Sequence, residues 1–145
     1  MNRVLIIEDE KITAEAVKAA LAMKNVDADI AENGEKGLAM FEERDYDLIL
    51  LDLKMPGMDG EEILMQIRKE DPFVDVVIYT NYQEFADIKK LTNIGIQGYV
   101  NKGAKADLEE LVDMIMRKMA PLEVHDIEKM VRSTPRDMLG ESEGE

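Results

Sequence analysis

Five short apolar runs punctuate the chain, near residues 3–7, 26–31, 47–51, 74–79 and 97–100, and longer stretches with helical spacing lie between them. Several of these runs are nearly all aliphatic, as in Leu48-Ile49-Leu50-Leu51, so both faces of each strand are expected to be covered. Strand alternating with helix predicts a parallel sheet sandwiched by helices. The first helix carries Ile12, Ala16, Ala19, Ala20 and Met23 on one stripe, and the last carries Leu108, Leu111, Val112, Ile115 and Met119. Both stripes are expected to face the sheet. Asp59 with Glu62 three residues on reads as an acidic variant of the capping box, which starts a helix at about Asp59 once Pro56-Gly57 has turned the chain. Asn33-Gly34 does the same before the second helix. Past Met119 the pattern degrades: residues 121–145 hold seven acids and three bases, with one weak apolar spacing at Val124, Ile127 and Val131. The expected organisation is one domain over residues 1–120, then a short helix and an acidic, disordered tail, or else a linker to an output domain.

Three of the apolar runs end in groups that can do chemistry. Val4-Leu5-Ile6-Ile7 ends in Glu8-Asp9, the third run ends in Asp52, and Val76-Val77-Ile78-Tyr79 ends in Thr80-Asn81. In a parallel sheet these ends converge on one edge, where open α/β folds place their ligand crevice. Two carboxylates about 5 Å apart repel by roughly 3 kcal/mol at an effective dielectric near 20. Three acids gathered there raise one another's pKa unless a cation joins them. With oxygen ligands and no imidazole or thiolate, the expected cation is Mg2+.

Composition narrows the field further. Thirty-two acids against 18 bases give a formal charge of −14, and Lys89-Lys90 and Arg68-Lys69 are isolated pairs, not a basic face. Such a chain repels nucleic acid and anionic membrane, so direct binding to either is not expected. The absence of cysteine removes disulfides, thiolate metal sites and cysteine nucleophiles. The N-terminus runs straight into strand-like sequence and no apolar stretch approaches membrane-spanning length, so a soluble cytoplasmic protein is expected. His125, the single histidine, lies in the tail, far from the acids.

Glu8-Asp9, Asp52, Thr80 and Lys102, each at the end of a strand-like run, together resemble the response-regulator receiver domain of two-component signalling, the CheY-like superfamily, over residues 1 to about 119. Asp52-Leu53-Lys54-Met55-Pro56-Gly57-Met58-Asp59-Gly60 follows that family's D-x-x-M-P-x-M-D-G almost letter for letter. The resemblance implies a flavodoxin-like α/β fold with a five-stranded parallel sheet in the order 2-1-3-4-5 and helices on both faces. It implies that Asp52 accepts a phosphoryl group from a histidine kinase or phosphotransfer protein, with Mg2+ held by Glu8, Asp9, Asp52 and the Lys54 carbonyl. Lys102 and Thr80 would then assist the transfer, and the backbone amides of Leu53 and Asn81 would bind the phosphoryl oxygens. Thr80 and Tyr99 would form the switch, with Tyr99 turning inward as Thr80 moves. The signal would pass through the fourth helix, fifth strand and fifth helix to a downstream protein, an output domain or a second copy of the chain. No enzymatic activity is expected beyond self-phosphorylation from a phosphodonor and autodephosphorylation.

Two positions depart from the family pattern. Gly103 follows Lys102 where the family has a proline after a cis bond, and a cis bond before glycine costs about 2.5–4 kcal/mol. Asn81 follows Thr80 where most relatives have alanine or glycine, so its larger side chain would narrow the path to Asp52. A haloacid-dehalogenase-like phosphatase needs a second Asp two residues after the nucleophile, and Lys54 stands there instead. A flavin or dinucleotide binder needs a glycine-rich loop where this chain has Glu8-Asp9-Glu10-Lys11. The alternative to the phosphorylation switch is a receiver-fold module that signals by protein contact without phosphorylation.

Overall fold

The computed structural model describes residues 2–53, 55, 57–80, 85–102 and 107–119, of which residues 85–87 and 107 are described by their backbone alone. Its strands are β1 (Arg3–Ile7), β2 (Asp27–Ala31), β3 (Leu48–Leu51), β4 (Asp75–Thr80) and β5 (Gly98–Asn101). Its helices are α1 (Lys11–Ala22), α2 (Gly34–Glu43), α3 (Gly60–Glu70), α4 (Phe85–Ile94) and α5 (Asp107–Met119). The five strands are all parallel and ordered β2-β1-β3-β4-β5, which is the expected flavodoxin-like architecture.

Successive strand residues point to opposite faces, so each strand feeds two cores. Val4, Ile6, Leu48, Leu50, Val77 and Val100 pack with Ala14, Val17 and Leu21 of α1 and Leu111, Val112 and Ile115 of α5. Leu5, Ile7, Ile49, Leu51, Val76 and Ile78 pack on the other face with Ile63, Leu64 and Ile67 of α3 and Leu91 of α4. Leu38 and Phe41 of α2 join that second core from its edge.

Helix α5 buries the expected stripe. Helix α1 does not: Ile12 is 87% and Met23 84% exposed, and the buried positions are Ala14, Val17 and Leu21. The helix is rich in alanine, which marks no face by itself, and Val17 and Leu21 lie one turn apart on a stripe that the larger exposed residues obscured. Both expected N-caps form, Asn33 accepting from the Lys36 amide at 2.8 Å and Asp59 from the Glu61 amide at 3.3 Å, one residue short of the Glu62 that the capping box pairs with it. Gly60, the first residue of α3, sits so close to the start of the β3–α3 connection that a Cβ there would lie 2.6 Å from Leu53 Cα. That close approach fixes where the turn after Asp52 rejoins the body of the domain.

The register carries the fold to the site. Ile7 pairs with Leu51, and the ladder runs one step further, where Asp52 N–H donates to the Ile7 carbonyl at 3.1 Å and Glu8 N–H to the Ala31 carbonyl at 3.0 Å. Thr80 pairs with Asn101, and Lys102 N–H donates to the Thr80 carbonyl at 3.0 Å. Glu8, Asp52, Thr80 and Lys102 are thereby held at one edge by main-chain hydrogen bonds before their side chains meet. Lys54, Asn81, Gly103, His125 and the whole of 121–145, on which several of these expectations fall, lie outside the described residues.

Candidate phosphoryl-acceptor site

Asp52, Glu8 and Thr80 are the three buried polar residues among those described, and all three stand at the carboxyl edge of the sheet. Lys102 reaches them from the end of β5. Its Nζ lies 3.0 Å from Asp52 Oδ2, 2.5 Å from Glu8 Oε1 and 2.9 Å from Glu10 Oε1. The same Nζ stands 5.6 Å from the centre of the Tyr79 ring, a cation–π distance. One ammonium thus faces three carboxylates and an aromatic ring in a place that water barely reaches, its own side chain being 11% exposed.

Electrostatics follow from that count. Burial pushes the Glu8 carboxyl up to about 7, with neighbouring Asp52 adding to the rise and Lys102 and the Glu10 amide opposing it. Burial alone would pull the Lys102 ammonium down, but its close contacts with the carboxylates of Glu8, Glu10 and Asp52 outweigh it and hold the group charged well above the ordinary lysine range. Glu8 Oε1 is buried and has no aligned hydrogen-bond donor among the described residues, for all its nearness to Lys102. One oxygen each of Glu8, Glu10 and Asp52 lies within 4.8 Å of the others. A buried carboxylate oxygen without a hydrogen bond, in a group of hard oxygen donors whose negative charge exceeds that of the single ammonium, fits a divalent cation such as Mg2+.

The expected residues are not all brought together. Glu8, Asp52, Thr80 and Lys102 converge. Asp9 follows on the β1–α1 loop, exposed, and lines with Glu8, Lys11 and Glu32 a neighbouring cleft of about 380 Å3. Glu10, absent from the expected set, takes the third place in the carboxylate group. Tyr99 is half-buried against the α3–α4 core, and burial raises its hydroxyl's pKa. Leu53 is half-buried directly after Asp52. Met55 and Met58 pack along the margin of the second core beside it. Glu10 and Tyr79 were missed because nothing in the run Glu8-Asp9-Glu10 tells which carboxylates turn inward. The faint signal for Tyr79 is its place beside Thr80 at the end of a buried strand.

Residues 4–116 match the family described as response regulator receiver domain, and the chain belongs to that family. Regulatory protein AtoC of Escherichia coli is 30% identical over 132 residues, which is 91% of this chain and 28% of that protein. Response regulator ArlR of Staphylococcus saprophyticus is 35% identical over 115 residues, 79% of this chain and 51% of that protein. The chain therefore spans only part of the curated relatives it matches. Among solved structures, the response regulator TrrA of Thermotoga maritima in complex with Mg(2+)-BeF superposes with a TM-score of 0.72 at 32% identity, covering 82% of this chain and all of that one. A CheY-like receiver domain protein of Methanospirillum hungatei superposes with a TM-score of 0.76 at 27% identity, covering 81% and 93%. A receiver domain of a two-component response regulator implies signalling based on phosphorylation, and such domains take Mg2+ at an acidic pocket; here Glu8, Glu10 and Asp52 form an acidic cluster. Among the described residues no helix is long and apolar enough to cross a membrane.

Proposed function

We propose that the protein is a phosphorylation-operated switch in which Asp52 is the acceptor. The observation that carries this reading is the convergence of Asp52, Glu8 and Lys102 from three strand ends, with Thr80 buried at the end of a fourth. An oxygen of Asp52 attacks phosphorus as the bond to the donor's leaving group breaks, giving an acyl phosphate. The donor is a phosphohistidine of a sensor kinase or phosphotransfer protein, or a small acyl phosphate. Lys102 binds a phosphoryl oxygen once it is released from its carboxylates, and Thr80 with the amides of Leu53 and Asn81 donates hydrogen bonds to the others. Glu8, Asp9, Asp52 and the Lys54 carbonyl would hold Mg2+, which supplies positive charge against the carboxylates and the transferring group.

The outcome is a change at the face formed by α4, β5 and α5, with Thr80 and Tyr99 as the moving parts. Thr80 and Asn101 are paired across β4 and β5, so displacement at the site acts directly on the strand that carries Tyr99. A coupling of about 1–3 kcal/mol between site and face suffices to shift a partner's affinity. That partner is a downstream protein, an output domain joined beyond residue 120, or a second copy of this chain. The MgBeF complex of TrrA supports the assignment of the site, because there the metal and BeF accompany a receiver of the same fold.

The test is intact-protein mass after incubation with acetyl phosphate and Mg2+. Wild type should gain one phosphoryl group, the gain should vanish with chelator, and Asp52→Asn should gain none. Phosphorylation that persists in Asp52→Asn moves the nucleophile elsewhere. A wild-type protein that never gains mass leaves the contact-only module as the better reading.

A further inference from the structure

Glu10 has no task in the reaction just described, yet its side chain is committed to the site. It is the residue before α1, where a side chain would ordinarily cap the helix, and it makes no capping hydrogen bond. Instead its Oε1 accepts from Lys102 Nζ at 2.9 Å, a contact that joins positions 92 residues apart. A carboxylate oxygen of Glu10 also lies within 4.8 Å of one on Asp52. With its side chain 62% exposed, it stands on the solvent side of an ammonium that is otherwise enclosed by Glu8 and Asp52.

We propose that Glu10 is a built-in stand-in for the phosphoryl group, an anion that occupies Lys102 in the resting state and must be displaced before a phosphodonor can use it. This rests on Asp52 being the acceptor. A donor phosphoryl group needs the same ammonium that Glu10 holds, and it brings negative charge of its own toward a carboxylate next to the nucleophile. Entry therefore breaks one charge-assisted hydrogen bond and works against one repulsion. Glu10 is a positioning residue in this role: it acts through Lys102 and sets how readily oxyanions enter. Because its head is wet and screened, the effect is moderate. A partner kinase that draws Glu10 aside on docking would gain a rate advantage over small donors.

The variants Glu10→Gln and Glu10→Ala keep the backbone groups that accept and donate at this position, and lose no cap, since the native side chain forms none. Three quantities separate the roles: the Mg2+ dissociation constant by calorimetry, the dissociation constant of beryllofluoride in saturating Mg2+, and the acetyl phosphate rate by intact mass. In both variants beryllofluoride affinity and phosphorylation rate should rise about tenfold, while Mg2+ affinity stays within about threefold of wild type. Unchanged beryllofluoride affinity and rate overturn the stand-in role. A tenfold or greater loss of Mg2+ affinity also overturns it and makes Glu10 a metal ligand. If Asp52→Asn still takes up the phosphoryl group, the acceptor assignment fails whatever the Glu10 variants do. If only the Glu10 variants behave as wild type, the acceptor assignment stands and this inference alone falls.

Discussion

At the scale of single residues the site is a charge balance that rests on one lysine. Lys102 Nζ meets Asp52, Glu8 and Glu10 within 3.0 Å. Glu8 and Asp52 are buried, so removing the ammonium leaves carboxylates in a place where water cannot replace it. Lys102→Met should cost about 2–4 kcal/mol in urea denaturation with chelator present, toward the lower end because Glu8 can take up a proton near neutral pH. Millimolar Mg2+ should restore part of the loss, and more than it adds to wild type, since the cation then supplies the missing charge. A variant as stable as wild type in chelator would show that Lys102 does not balance these groups. From the sequence alone, Lys102 is a lysine after an apolar run, and only its agreement with the four other strand-end positions marked it. Asp52 and Glu8 were legible for a physical reason, because a carboxylate at the end of a fully aliphatic strand has to be buried or bound.

At the scale of elements the two edges of the sheet are built differently. The carboxyl edge is charged and meets the reaction, while the opposite edge is closed by Arg68 of α3. Its guanidinium donates to the carbonyls of Gly95 at 2.9 Å, Asp71 at 3.3 Å and Val74 at 2.6 Å and to Gln97 Oε1 at 2.8 Å. Gln97 Oε1 in turn accepts from the Val76 amide at 2.7 Å. One side chain therefore ties the loop before β4 to the loop before β5. Gly95 can close α4 there because its φ of +126° lies in the left-handed region, and a Cβ would meet Arg68 Nε at 3.0 Å. The carboxyl end of α4 is pinned in this way. Arg68→Lys keeps the charge but not the planar fork, and should cost about 1–3 kcal/mol by leaving acceptors unpaired. Amides of Gln97 and Gly98 should lose hydrogen-exchange protection while those of β1 keep theirs; equal protection throughout would show that the clamp is dispensable. Nothing in the sequence announces this clamp, since Arg68-Lys69 reads as two surface bases at the end of a helix. The strand order and the stripe of α5 were legible because strong aliphatic periodicity decides them. The face of α1 was not, because its alanines carry little hydrophobic contrast and two larger apolar residues at its ends, Ile12 and Met23, lie in solvent.

At the scale of the whole molecule a formal charge of −14 is a source of self-repulsion that any salt relieves, so stabilisation by Mg2+ is informative only against a matched ionic background. A cation taken up beside Glu8 and Asp52 acts by mass action on the folded state, where their carboxylate oxygens lie within 4.8 Å of one another, and not on the unfolded chain, where they are far apart. At a hundred times its dissociation constant such a ligand adds about 2.7 kcal/mol. For a domain of this size that is roughly 5–15 °C in the unfolding midpoint. Diffuse screening gives no such difference between MgCl2 and NaCl of equal ionic strength, and it is indifferent to which carboxylate is present. Melts in the two salts should therefore separate by several degrees for wild type, and the separation should shrink in Asp52→Asn, which removes a charged oxygen from the group while changing the net charge by only one in fourteen. Coincident melts in the two salts would remove the metal site. A separation that survives in Asp52→Asn undiminished would place the cation among other acids of this acidic chain.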